Sequence, residues 1–161
     1  MIIRGLVDED FVNYKKASMF IAFPTCNWKC EKECGKRVCQ NSTLASASAI
    51  VMHEKGLCVR YLENPITSAI VCGGLEPMDT YDMLCDLICT LRNEFHCNDD
   101  VVIYTGYTEE ECMNNGWITN LQQYRNIIIK FGRYIPDESP HYDDVLGVKL
   151  ASHNQYAKKI C

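Results

Sequence analysis

An α/β fold with a parallel sheet and flanking helices is predicted by three features of this 161-residue chain. Short apolar runs rich in β-branched residues recur along it. Segments of helical period separate the runs. Three of the runs close on glycine. Strands alternating with helices argue for a parallel sheet, and runs that are apolar on both faces argue for a sheet covered on both sides.

The first run is "SMFIAF" (18–23), ended by Pro24. A helix is expected within 53–63, "HEKGLCVRYLE", although Gly56 weakens it. The second run is "SAIVCGG" (68–74). Next, "DTYDMLCDLICTLRNEF" places Met83, Leu84, Leu87, Ile88 and Leu91 on one helical stripe. The third run, "DVVIYTG" (100–106), precedes "TEEECMNNG". There Thr108 and Glu111 have capping-box spacing and Gly116 stops the helix. "NIIIKFG" (126–132) is the fourth run and "VLGVKLA" (145–151) a weaker fifth. Residues 40–52 show no clear period. No repeat or linker divides the chain, so residues 1–161 read as one domain, long enough for a proper core.

The net charge of −5 argues against nucleic acid as the main partner, because phosphate binding needs a basic face. No polybasic segment serves an anionic membrane, and no apolar run reaches spanning length. The first ten residues are acidic and lack a signal peptide's apolar middle, so the expected location is the cytoplasm.

Eleven cysteines are many for this length, and the odd count forbids complete internal pairing. Four fall in "CNWKCEKECGKRVC" (26–39). In a reducing compartment such clustering points to metal or redox chemistry rather than disulfides. Structural zinc is one reading, although the spacings C-x3-C, C-x3-C and C-x4-C lack the usual close pairs. A cubane iron–sulfur cluster on a compact loop is the other. Lys29, Lys32, Lys36 and Arg37 would favour thiolates there. Cys58, Cys72, Cys85, Cys89, Cys97 and Cys112 read as small apolar side chains. In a parallel α/β sheet, ligands gather at the carboxyl ends of the strands. The cysteine loop, Gly73–Pro77 and Thr105–Thr108 each follow a run, so the topology predicts that they converge.

These residues resemble the radical S-adenosylmethionine (SAM) enzymes. Cys26 and Cys30 match the first pair of that family's C-x3-C-x2-C pattern. Cys39 opens "CQNST", which looks like the segment at the third cysteine of one branch, and Cys34 is the alternative third ligand. "GGLEP" (73–77) resembles the Gly-Gly-Glu-Pro motif with Leu75 inserted. "VVIYTGYTEEE", "KFGRYIPDE" and "ASHNQYAKKI" resemble segments of the activating enzymes of anaerobic (class III) ribonucleoside-triphosphate reductase, with Gly132, Arg133, Tyr134, Ser152, Asn154 and Gln155 at matching positions.

The resemblance implies a minimal, incomplete (β/α) barrel. It implies a [4Fe–4S] cluster on Cys26, Cys30 and Cys39, with SAM bound by Val38, Asn41, Gly73, Gly74, Glu76, Pro77, Tyr104, Thr105 and Lys130. The implied enzyme is an oxidoreductase. It cleaves SAM reductively and makes a glycyl radical on a large partner reductase, with flavodoxin or ferredoxin as electron donor. Two other readings are a small radical SAM enzyme acting on another peptide or small molecule, and a zinc-stabilised binding module without catalysis.

Overall fold

The computed structural model describes residues 1–161. In chain order the elements are β1 (Ile2–Ile3), β2 (Gly5–Asp10), β3 (Ser18–Phe23), α1 (Lys29–Cys34), α2 (Ser42–Ala45), β4 (Ile50–Val51) and α3 (Glu54–Leu62). Then come β5 (Ala69–Gly74), a 3-10 turn (Pro77–Thr80), α4 (Tyr81–Cys89) with a π-helical extension (Thr90–Glu94), β6 (Asp100–Tyr104), α5 (Glu109–Asn114) and α6 (Trp117–Leu121). The chain ends with β7 (Ile127–Phe131), β8 (His141–Asp143), β9 (Val148–Leu150) and β10 (Tyr156–Lys159).

One six-stranded sheet organises the molecule, in the order β10-β7-β6-β5-β3-β2. Its four central strands are parallel, as the apolar runs predict. Both edges are antiparallel: β2 pairs with β3, and β10 with β7. The sheet is therefore mixed, largely parallel and unclosed. The two edge strands carry charges (GLVDED and YAKK), and so lack the apolar signature of the central ones. The expected fifth run does not join the sheet. Its residues Val148–Leu150 form a separate hairpin with His141–Asp143.

Alternation along the central strands builds two cores. Ile70, Cys72, Val101, Ile103, Ile127 and Ile129 face the larger one, with Leu57 and Tyr61 of α3, Leu84, Leu87 and Ile88 of α4, and Leu121 of α6. Val71, Val102 and Ile128 face the other way, against Tyr14, Leu146 and Leu150. The expected α4 stripe is buried except for Met83, which only packs against the core. The α5 capping box is present in both directions, with Glu111 N–H to Thr108 Oγ1 at 3.2 Å and Thr108 N–H to Glu111 Oε2 at 2.9 Å. Cys58, Cys72 and Cys112 are fully buried, as small apolar groups are, whereas Cys85, Cys89 and Cys97 stay half-buried at the core's rim. No helix is long and apolar enough to cross a membrane.

Candidate ligand cavity at the carboxyl edge of the sheet

The three loops converge as the topology predicts. They border a cavity of about 400 Å³ at the carboxyl ends of the parallel strands. Cys26, Cys30, Val38, Cys39 and Asn41 reach it from the loop after β3. Gly73, Gly74, Leu75 and Glu76 reach it from the end of β5. Tyr104, Thr105 and Lys130 reach it from β6 and β7. Cys34 and Pro77 do not line it. Pro77 is buried at the first position of the 3-10 turn, where its missing N–H costs nothing.

Glu76 is the centre of the wall. It is 5 % exposed, yet its carboxylate is well partnered. Oε1 accepts from Met78 N–H at 3.1 Å and Thr105 Oγ1–H at 2.7 Å, and Oε2 accepts from Gly106 N–H at 2.8 Å. Burial pushes its pKa up to about 7 against the pull of those donors. One acceptor site on Oε2 remains free. Glu76 also caps the 3-10 turn, so its orientation is fixed by the local chain.

Lys130 is buried near the end of β7. It is 6 % exposed and donates from Nζ to the Gly132 carbonyl at 2.8 Å. Burial draws its pKa down to about 8, while the Glu76 carboxylate opposes that shift. Two of its three N–H donors have no protein acceptor.

The glycines answer to packing. A Cβ on Gly74, whose φ is 85°, would fall 2.7 Å from the Ala22 Cα, and one on Gly73 would meet the Phe20 ring at 3.0 Å. Asn41 Nδ2 donates to the Gly74 carbonyl at 2.9 Å and ties the cysteine loop to β5. Tyr104 Oη–H donates to the Asn13 carbonyl at 2.5 Å, which draws the loop after β2 over the cavity.

Several residues outside the cavity lining hold its loops in place. Asp79 accepts from the Asn27 backbone at 2.6 Å, from Asn27 Nδ2 at 3.0 Å and from Tyr107 Oη–H at 2.6 Å. Trp117 meets the Tyr107 ring edge-on at 5.0 Å and stacks on Tyr81 at 5.6 Å. Trp28 opens α1 in the left-handed region and donates its N–H to Cys26 Sγ at 3.2 Å.

The cysteines do not meet their expectation. Nowhere are three or more thiol, imidazole or carboxylate groups placed to hold a metal ion. Cys26, Cys30 and Cys39 share the cavity wall without forming a ligand set. The helix α1 and the turn at Gly35 intervene before Cys39, and the Cys39 N–H donates to Glu31 Oε1 at 3.3 Å. Cys34 turns its thiol to the Lys36 carbonyl at 3.4 Å. Burial pushes the Cys26 thiol up to about 12 and raises that of Cys30. This arrangement overturns the [4Fe–4S] cluster and, with it, SAM as its ligand. The identification as a radical SAM oxidoreductase of the reductase-activating type falls with the cluster. So do the other radical SAM substrates and the zinc-stabilised module.

The structure thus defines an α/β protein with a cavity at the carboxyl edge of its sheet. A family described as a 4Fe-4S single cluster domain matches residues 15–155, and the chain belongs to that family. The donors present in this fold do not fit the cluster of the family's description. No curated protein and no solved structure matches the chain.

Proposed function

We propose that this protein binds a small zwitterionic molecule in the cavity at the carboxyl edge of its sheet. One observation carries this reading: a buried carboxylate and a buried ammonium border the same cavity, each with unspent hydrogen-bonding capacity. A ligand ammonium would use the free acceptor site of Glu76, and a ligand carboxylate the two free N–H groups of Lys130. Phe20, Val38, Leu44 and Tyr104 offer apolar wall for the rest of the molecule. The cavity volume falls in the range usual for small-molecule sites.

Thermal-shift measurements with α-amino acids of large side chain test this, beside the matching amines and carboxylic acids that lack one charge. The zwitterions should raise the melting temperature in a saturable way and the singly charged analogues should not. Lys130→Met should abolish the effect. Equal, non-saturating responses to all three probe classes would sink the reading.

A further inference from the structure

No residue between Pro24 and Gly56 is buried. Within this stretch, residues 25–47 contribute no apolar side chain to either core. Yet they supply a whole wall of the cavity, including Cys30, Val38 and Leu44. Polar contacts fasten them to the body. Glu76 N–H donates to the Thr25 carbonyl at 2.8 Å, Asn27 bonds Asp79, Asn41 bonds the Gly74 carbonyl, and Arg4 Nη1 donates to the Ala47 carbonyl at 2.7 Å. Segments with few buried apolar contacts open locally at low free-energy cost.

The helix α1 in this stretch is held by a chain of four charges. Lys29 Nζ lies 3.1 Å from Glu111 Oε1, and Arg133 Nη2 lies 2.7 Å from the same oxygen. Arg133 Nε faces Glu33 Oε1 at 3.1 Å, at an angle that makes no hydrogen bond. Lys29 Nζ also sits 4.2 Å from the centre of the Tyr107 ring. Glu111 is thus the hub, joining α1 to α5 and to the loop after β7. Arg133 itself lines the cavity.

We propose that residues 25–47 form a strap that opens over the cavity as one unit, and that the Lys29–Glu111–Arg133–Glu33 network is the latch that holds it shut. The proposal rests on the cavity being a binding site, since its consequence is control of ligand access. The latch itself can be tested with no ligand present.

Hydrogen–deuterium exchange by mass spectrometry on the full chain reads the strap directly. The hydrogen-bonded amides of α1 and α2 should exchange together, well before those of β5, β6 and β7. Raising NaCl from 50 mM to 0.5 M should speed strap exchange roughly three- to tenfold, because partly exposed ion pairs are screened by salt. Glu111→Gln should do the same at low salt. Gln can still accept the Thr108 N–H, so the α5 capping box survives the change. Glu94→Gln, which removes the separate Lys55–Glu94 pair, should leave the strap unchanged. A strap that exchanges at the strands' rate, that shows no protection at low salt, or that ignores both salt and Glu111→Gln overturns the latch. These outcomes are independent of whether zwitterions bind. The salt series on the unmodified protein stands even if a variant fails to fold.

Discussion

Thr105 Oγ1 donates to Glu76 Oε1 at 2.7 Å, so a hydroxyl at the end of β6 orients a carboxylate that follows β5. The Thr105 oxygen accepts in turn from Tyr107 N–H at 3.0 Å. Two neighbouring strands thus aim one buried acid at the cavity. Val in place of Thr105 keeps the β-branched shape but deletes the hydroxyl. Thr105→Val should cost about 1–3 kcal/mol, because Tyr107 N–H and Glu76 Oε1 each lose a buried partner. Urea denaturation checks it. An unchanged midpoint would mean that the two hydrogen bonds of the hydroxyl contribute no net stability.

Glu76 makes stability depend on pH with a defined sign. Its folded pKa of about 7 lies above the ordinary carboxyl range, so the folded state binds the extra proton. This contribution is fully present below pH ~4.5, the unfolded value, and is lost as pH rises through about 7. Melting temperatures should therefore fall across that window, and Glu76→Gln should flatten the slope. The slope is the informative quantity, since Gln also loses the Gly106 bond at one of its two atoms.

Lys130 acts in the opposite direction. Its folded pKa of about 8 lies below the ordinary lysine value, so the unfolded state holds its proton more tightly. Stability should rise with pH between about 8 and 10.5. Lys130→Met removes a buried charge and leaves the Gly132 carbonyl paired, because Gln155 Nε2 also donates to it at 3.2 Å. The variant should be more stable at pH 7 by up to roughly 3 kcal/mol, at about 1.4 kcal/mol per pH unit of displacement. Loss of zwitterion binding together with a gain in stability would mark a group retained for function rather than for folding.

The central sheet was legible because β5, β6 and β7 are buried on both faces and their sequences are mostly apolar. The edge strands were not, because β2 and β10 mix charge with apolar residues and their pairing is settled by tertiary contacts. Convergence of the three loops followed from topology alone. The failure of the thiols to form a ligand set did not, because a set depends on side-chain placement in three dimensions, which cysteine spacing does not encode. The burial of Lys130 was hidden for a similar reason. Lys130 stands one residue from the end of β7, and its burial comes from tertiary contacts such as the Gly132 carbonyl, which the local sequence does not encode.

Asp79 anchors the start of the cysteine loop through Asn27 and also holds Tyr107. Asp79→Ala leaves three donors short of a partner, so a loss of about 2 kcal/mol or more is expected. Asp79→Asn keeps one carbonyl oxygen and should lose less. The two variants should also rank in the same order for the exchange rate of amides 27–34. Equal rates would show that Asn27 is held by something else.

Arg92 stabilises the opposite edge of the sheet and separates folding from function. It sits in the π-helical turn, 8 % exposed, and donates to the carbonyls of Cys97, Asp99 and Arg125. Those carbonyls belong to the segments that lead into β6 and β7, so one guanidinium fixes where both strands begin. Burial lowers its pKa, and the cation persists because its donors are used by fixed acceptors. Lysine cannot span three carbonyls with a single nitrogen in fork geometry. Arg92→Met should cost roughly 3–5 kcal/mol, as a loss that strands buried polar partners does. Arg92→Lys should recover only part of it. Zwitterion binding, measured well below the melting temperature, should survive both changes, because the cavity lies at the other ends of the strands. A variant that keeps its stability but loses binding would show that the two edges are coupled through the strands, and would place Arg92 in the function of the site.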